Sequence, residues 1–287
     1  MERTIGLITV TVILIISFAR PLSDLAWYSL HNELYSYIPL IPLISLYLIW
    51  SNRRGLVLAY KPAPRFAVLS LLGSLAILSA FYWGVSTGWS PTTNDYLALM
   101  TLSCLLALLA SFFVFLGRET LRTIAFPLGF LIFAVPLPGF LQTSIECFFQ
   151  WTSALAAEVF FWMSATPVFR HGLVFDFPGF GLEVAPECSG IHSSVVLFIT
   201  SLVAGQLFLR GFWNRVLLTL CVIPLAILRN GLRIFVIGQL CVRVSPDMIN
   251  SYVHRHGGPI FFAFALIAFF LVLLRLRKLE RRGGFSS

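Results

Sequence analysis

Apolar runs of roughly 16 to 24 residues, separated by short polar or basic breaks, fill almost the whole of this chain, and each is close to the length that crosses a bilayer core of about 30 Å as a helix. The runs fall at about 4–19, 35–50, 66–86, 96–116, 121–138, 144–167, 190–209, 214–236 and 258–275. One region departs from the helical pattern. Leu173, Phe175 and Phe177 alternate with other residues before a Pro178-Gly179 turn, and Leu182 and Val184 continue the alternation after it. That period of two predicts a short β-hairpin over about 170–186.

Composition removes the soluble alternatives. The 287 residues are 58% hydrophobic and only 11% charged, with a mean hydropathy of +0.89, whereas soluble domains carry about 25% charged residues. An all-α polytopic membrane protein is expected, as a single domain over 1–287 with no internal repeat, low-complexity tract or soluble second domain. The net charge of +8 reads as a topology signal rather than a nucleic-acid surface, because Lys and Arg collect in cytoplasmic loops. Arg3, the group Arg53, Arg54, Lys61 and Arg65, the pairs Arg118/Arg122 and Arg210/Arg215, and the tail with Arg275, Arg277, Lys278, Arg281 and Arg282 then share one side. Both termini are cytoplasmic on that assignment, which demands an even number of crossings.

Nine segments must therefore give about eight crossings, N-in and C-in. The segment 140–167 is the one withdrawn, since Glu146 and Glu158 sit within it and an ionised carboxylate in hydrocarbon is expensive without a partner. An interfacial helix on the outer face is expected there, after a span kinked at Phe126-Pro127-Leu128 and stopped at Val135-Pro136-Leu137-Pro138-Gly139. Open sheet edges do not sit in hydrocarbon, so the hairpin lies outside the core or in a protein-walled cavity. Met1-Glu2-Arg3 and the apolar run to Ala19, with Ser17-Phe18-Ala19, have the form of a signal peptide. Parity makes this stretch an uncleaved first span.

Five cysteines without a CxxC pair imply neither a disulfide framework nor a zinc site. Cys104, Cys147, Cys221 and Cys241 read as packing residues. Cys188 differs, standing in the polar break Pro186-Glu187-Cys188-Ser189-Gly190-Ile191 immediately before an apolar segment. From Arg215 to Arg233 is about 27 Å of helix, nearly a bilayer core, so Arg233 is expected at the outer boundary with Arg229 one turn below it. The connection holding Val253-His254-Arg255-His256-Gly257-Gly258 comes out on the same side. Thiol, guanidinium and imidazole together permit acyl transfer. The thiolate attacks, a cation stabilises the oxyanion, and the imidazole exchanges protons with the thiol and the leaving amine. No GxSxG elbow or HExxH helix competes, and no cofactor or metal is implied.

Blander readings stand beside this one. A cysteine at a helix start is often inert, and Arg229 and Arg233 can snorkel to the interface. His192, at i+4 from Cys188, and His256 rival His254 as the proton partner. Glu187 opposes a thiolate unless it pairs with an arginine, while Asp176 and Glu183 serve the wet face of the hairpin. A membrane transporter or assembly scaffold that binds an anionic substrate through outer-face Arg and His, with Cys188 incidental, is the alternative of a different class.

The blocks Glu187-Cys188-Ser189-Gly190-Ile191, Asn230-Gly231-Leu232-Arg233-Ile234 and His254-Arg255-His256-Gly257-Gly258, in this order, resemble those of the exosortase/archaeosortase family. The resemblance covers about residues 120–275. It implies a membrane-embedded cysteine transpeptidase or peptidase with Cys188 as nucleophile, Arg233 as transition-state stabiliser and His254 as general acid/base. Asn230, Arg229, Glu187, Ser189, Gly190 and His192 are supporting or substrate-binding candidates. The implied partners are exported proteins bearing a C-terminal sorting signal, made of a short motif, a transmembrane helix and a basic cluster. The acceptor nucleophile is lipid- or polysaccharide-linked, the bilayer is the third partner, and no nucleic acid is involved. The implied location is the inner or plasma membrane with the site facing the periplasm or exterior. A reporter fused near Glu158 or Phe177 is expected to read as outside; a cytoplasmic reading breaks the eight-crossing topology.

Overall fold

The computed structural model describes residues 2–53, 60–245 and 257–283, with the backbone alone for Glu187 and Cys188. It is an all-α polytopic membrane protein with one small sheet. The chain gathers into two compact units, Met1–Gln142 and Thr143–Ser287. Six described helical stretches are long and apolar enough to cross a bilayer: Glu33–Ser51, Pro64–Ser86, Thr93–Phe115, Ile191–Phe208, Phe212–Arg243 and Gly258–Arg282. Counting each of two bent pairs as one broken span raises that to eight.

In the first unit, α1 (Glu2–Ser17) and α2 (Ala19–His31) form the first bent pair, turning by 68° around Phe18. Then come α3 (Leu40–Ser51), α4 (Pro64–Ser86), α5 (Thr93–Phe115), α6 (Arg118–Thr123) and α7 (Ala125–Phe130). Proline at the first helical position opens α4, where its missing N–H does no harm. Thr92 and Asp95 cap α5 reciprocally. Ser74 and Ser103 clasp α4 to α5 through hydroxyl and carbonyl contacts of 2.9 Å, the polar glue expected between helices in lipid. Basic residues from three distant segments meet in this unit. Arg3 lies 3.6 Å over the Tyr60 ring, Arg118 donates its backbone N–H to the Lys61 carbonyl at 2.9 Å, and Arg118 also stacks over Phe66. That is the convergence the charge pattern predicts.

The expected span at 121–138 is instead a series of short pieces, α6, α7 and a 3₁₀ turn at Leu131–Ala134. Pro127, Pro136 and Pro138 interrupt the backbone ladder, and about 15 Å of helix from Ala125 to Ala134 is too short to cross alone. Together with α8 (Gly139–Met163) it makes the second bent pair. The start of α8 is pinned by polar contacts: the Gly139 N–H donates to Asp95 Oδ1 at 2.9 Å, and the Tyr35 hydroxyl donates to the Leu137 carbonyl and to Gln142 Oε1.

In the second unit the predicted hairpin is one strand larger. β1 (Phe169–His171), β2 (Val174–Phe177) and β3 (Phe180–Glu183) form an antiparallel meander in chain order. Phe175, Phe177, Leu182 and Val184 are buried as the alternation requires, while Asp176 and Glu183 are exposed. The added strand brings Arg170 to Glu158 at 2.8 Å, so the carboxylate that counted against a crossing at 140–167 has a partner after all.

The sheet rests on α8 and α11. The second half of the unit comprises α9 (Ile191–Phe208), α10 (Phe212–Leu220), α11 (Val222–Arg243) and α12 (Gly258–Gly283). The break between α10 and α11 lies just before Pro224, whose ring clashes with the carbonyl four residues back. Helix α8 presents a stripe of Gln150, Ser153, Ala154, Ala157 and Phe161, buried and spaced by three and four. Glycines let α11 approach it closely. A Cβ on Gly231 would stand 3.1 Å from the Ala157 nitrogen and 3.2 Å from the Ser153 carbonyl oxygen, and one on Gly238 would press on Phe161 and Phe177. We expect Gly231→Ala to destabilise by about 1–3 kcal/mol through overpacking, read as thermal unfolding in detergent. Gly73→Ala, whose Cβ would meet its nearest neighbour at an ordinary 3.4 Å, should be neutral or slightly stabilising.

Candidate active site

The site is built around a break in helical backbone. Pro186–Ser189, which includes Cys188, forms a 3₁₀ turn, and Gly190 follows in the left-handed region at φ 70°, ψ 17°. A side chain is strained there, so glycine is the residue that reverses the chain into α9. The Gly190 carbonyl then accepts four donors: the Ser194 N–H at 3.1 Å, the Ser193 and Ser194 hydroxyls at 3.1 and 2.8 Å, and Arg229 Nη2 at 3.1 Å. There is no room for a larger residue. A Cβ on Gly190 would collide with Arg229 Nη2 and stand 3.0 Å from Asn230 Oδ1.

Arg229 and Asn230 are both buried in α11, and Ser189, at 1% exposure, is sealed beneath the turn with its Oγ accepting the Ile191 N–H at 3.4 Å. Among the described residues Arg229 makes no ion pair. It is therefore not a snorkelling interfacial charge; its guanidinium is a strut holding the Cys188 turn. Four of the expected site residues, Ser189, Gly190, Arg229 and Asn230, are thus brought together.

Arg233 stands one turn further along α11, half-buried. Beyond Arg233, α11 continues to Arg243, about 15 Å further. Helix register adds to the placement. A Cβ on Gly205 of α9 would stand 3.6 Å from the Arg215 side chain, and Arg229 donates to Gly190, so the two elements run antiparallel over about 22 Å with nearly equal residue counts.

The histidines divide. His192 sits in the first turn of α9, but the left-handed break at Gly190 puts Cys188 in a separate turn, so the two do not share a helical face. His254 and His256 lie outside the described residues, as do the side chains of Glu187 and Cys188. A count along α12 bears on His254. Glu280 of α12 contacts Asn214 of α10 at 2.7 Å, and about 33 Å of helix in each element from that contact brings Gly258 level with residues near 236.

One supporting residue was absent from the sequence reading. Gln150 is buried in α8 and donates Nε2 to the Val184 carbonyl at 3.0 Å, fixing the strand exit that leads into Pro186. Its signal was a single amide on the otherwise small and apolar stripe of α8.

The profile of the transmembrane exosortase family matches residues 27–271. The chain belongs to that family. The match begins far before residue 120, so most of the N-terminal spans of this exosortase are part of it. Neither a curated protein nor a solved structure matches the chain.

Chemically, the candidate site concentrates positive potential. No side chain caps α9, the positive end of its dipole faces the Cys188 turn, and one guanidinium is buried behind that turn with another a helical turn away. A negatively charged sulfur or oxygen formed there is stabilised. Gly190→Ala is expected to lose more stability than Gly88→Ala. Gly88 shares a positive φ of 96° but has open space around its Cβ position. The common strain is about 1–2 kcal/mol, and thermal unfolding of the two variants isolates the collision with Arg229. Equal losses would mean that the contact is slack.

Proposed function

We propose that this chain is a protein-sorting cysteine transpeptidase that cleaves the C-terminal sorting signal of exported proteins through a thioacyl intermediate and passes the chain to an acceptor. Membership of the transmembrane exosortase family supports sorting by a membrane transpeptidase at the level of the family. The observation that carries the finer reading is the clamp of Arg229 on the Gly190 carbonyl, which ties the Cys188 turn to the helix that bears Arg233.

In this reading the Cys188 thiolate attacks the scissile carbonyl, forming a carbon–sulfur bond and an oxyanion that Arg233 and the first amides of α9 stabilise. Collapse breaks the carbon–nitrogen bond, and His254 gives its proton to the departing amine. The acceptor nucleophile then loses its proton to His254, attacks the thioester and restores the thiolate. In this reading Glu187 pairs with an arginine, and the site faces the exterior side of the plasma or inner membrane. The transporter reading draws less support, because Arg229 is occupied by backbone rather than open to an anionic substrate.

Cys188→Ala in full-length, inserted protein should abolish processing of a signal-bearing substrate, and mass spectrometry of the wild-type chain should trap a thioacyl adduct on Cys188. Processing that survives the substitution removes the nucleophile. Arg233→Lys keeps the charge but not the forked geometry, and we expect about a 10²-fold or larger fall in turnover with folding intact. His254→Ala should lower turnover as well and should shift its dependence on pH.

A further inference from the structure

At the other end of the second unit is a feature that acyl transfer does not use. A cavity of about 600 Å³ opens where the C-terminal end of α9, the start of α10 and the last turns of α12 meet. Arg210, Arg215, Arg277 and Arg281 line it, with Glu280 as its single carboxylate and Phe208 on its apolar wall. Glu280 is already engaged. Its Oε1 accepts from the Gly211 N–H at 2.8 Å and from Asn214 Nδ2 at 2.7 Å, and its Oε2 accepts from the Arg210 N–H at 2.9 Å. That carboxylate caps the N-terminus of α10.

Glu280, which feels the charge of Arg215, offsets only part of the cationic charge. Among the described residues none of the four arginines forms an ion pair, and guanidinium stays charged at any accessible pH. Arg215 is held in place by donating Nε to the Leu209 carbonyl at 2.9 Å and Nη1 to Gln206 Oε1 at 2.6 Å. Arg277 lies 5.7 Å over the Phe208 ring. Four like charges around one concavity, two of them held in place, repel one another, and an anion within it reverses the sign of that energy. Leu207 and Phe208, both exposed at the end of a membrane-length helix, add an apolar lip beside the cationic floor. A phosphate group joined to acyl chains fits both halves.

We propose that this pocket binds the headgroup phosphate of an anionic phospholipid, with Arg215 and Arg277 on the phosphate oxygens, Arg210 and Arg281 at the mouth, and the acyl chains along Leu207 and Phe208. Basic pockets between helices at the bilayer surface bind such headgroups, and the cavity has the size of a small-ligand site. A free phosphate compound offers the same oxygens without the chains.

The full-length chain in phosphatidylcholine nanodiscs doped with phosphatidylglycerol provides the test, with bound lipid read by native mass spectrometry. Wild type should retain phosphatidylglycerol over phosphatidylcholine. Arg277→Gln and Arg281→Gln should each weaken retention about fivefold, whereas Arg275→Gln and Arg282→Gln, which remove equal charge outside the pocket, should change it less than twofold. Equal effects in all four variants overturn the pocket in favour of general surface charge. Displacement of the lipid by an equal concentration of inorganic phosphate overturns the lipid in favour of a soluble phosphate ligand. Absence of headgroup preference in wild type overturns the proposal without recourse to any variant.

Discussion

The contact between Arg229 and the Gly190 carbonyl is the constraint on which the rest of the site depends. A guanidinium buried within a span is costly unless it meets protein acceptors, and an irregular backbone turn at membrane depth is tolerated only where protein or water surrounds it. Each of these difficulties is the other's remedy. The break at Gly190 exposes a carbonyl that a continuous helix would present less freely, and Arg229 supplies a donor that lipid does not. The two serine hydroxyls of the first turn of α9 converge on the same oxygen, so the turn carrying Cys188 is fixed from α9 and from α11 together.

The register of the second unit extends that logic to the other end of α9. Arg215 donates to the Leu209 carbonyl, at the C-terminal end of α9, and Arg229 donates to Gly190, at its N-terminal end. The helix between is 18 residues long, about 27 Å and close to the thickness of a hydrocarbon core. A slip of one turn between α9 and α10–α11 breaks both contacts. The sheet reinforces the arrangement from the side: Phe161 packs on Phe175, Phe177 and Phe235 at 5.2 to 5.4 Å between ring centroids, and Gln150 holds the strand exit.

The spans were legible because a run of apolar residues has one inexpensive fate in this composition, and the buried face of the sheet was legible from a period of two at Phe175, Phe177, Leu182 and Val184. What escaped the sequence was geometry between elements. The count from Arg215 gave Arg233 a level along its helix, but not that α11 runs on to Arg243. Strand β1 was missed because Phe169-Arg170-His171 does not alternate, its stability coming from pairing with β2 and from Glu158 rather than from its own pattern. The pieces between Ala125 and Ala134 read as a span by hydropathy, which does not register the donors that proline removes. The role of Arg229 was hidden for a related reason. In one dimension it is one of two basic residues a turn apart, and only the packing of α9 on α11 separates the buried strut from its half-buried neighbour.

The two arginine contacts differ in sign, and the difference bears on chemistry. Arg215 sits at the C-terminal end of α9, where the helix dipole favours a cation, whereas Arg229 sits at the N-terminal end, where the dipole opposes it. Arg233 adds a second positive charge one turn from Arg229 and repels it. The resting site is therefore charged against itself, and the serine hydroxyls and the Gly190 carbonyl offset only part of that repulsion. Negative charge arising at this end of α9 relieves it, so the gain is greatest when an anionic sulfur or tetrahedral oxyanion is present and absent when the groups are neutral. Such a difference in stabilisation between states is what lowers a barrier, whereas equal stabilisation of substrate and transition state does not. The arrangement that makes the folded chain less comfortable at Gly190 is the one that favours an anion there, as the proposed acyl transfer requires.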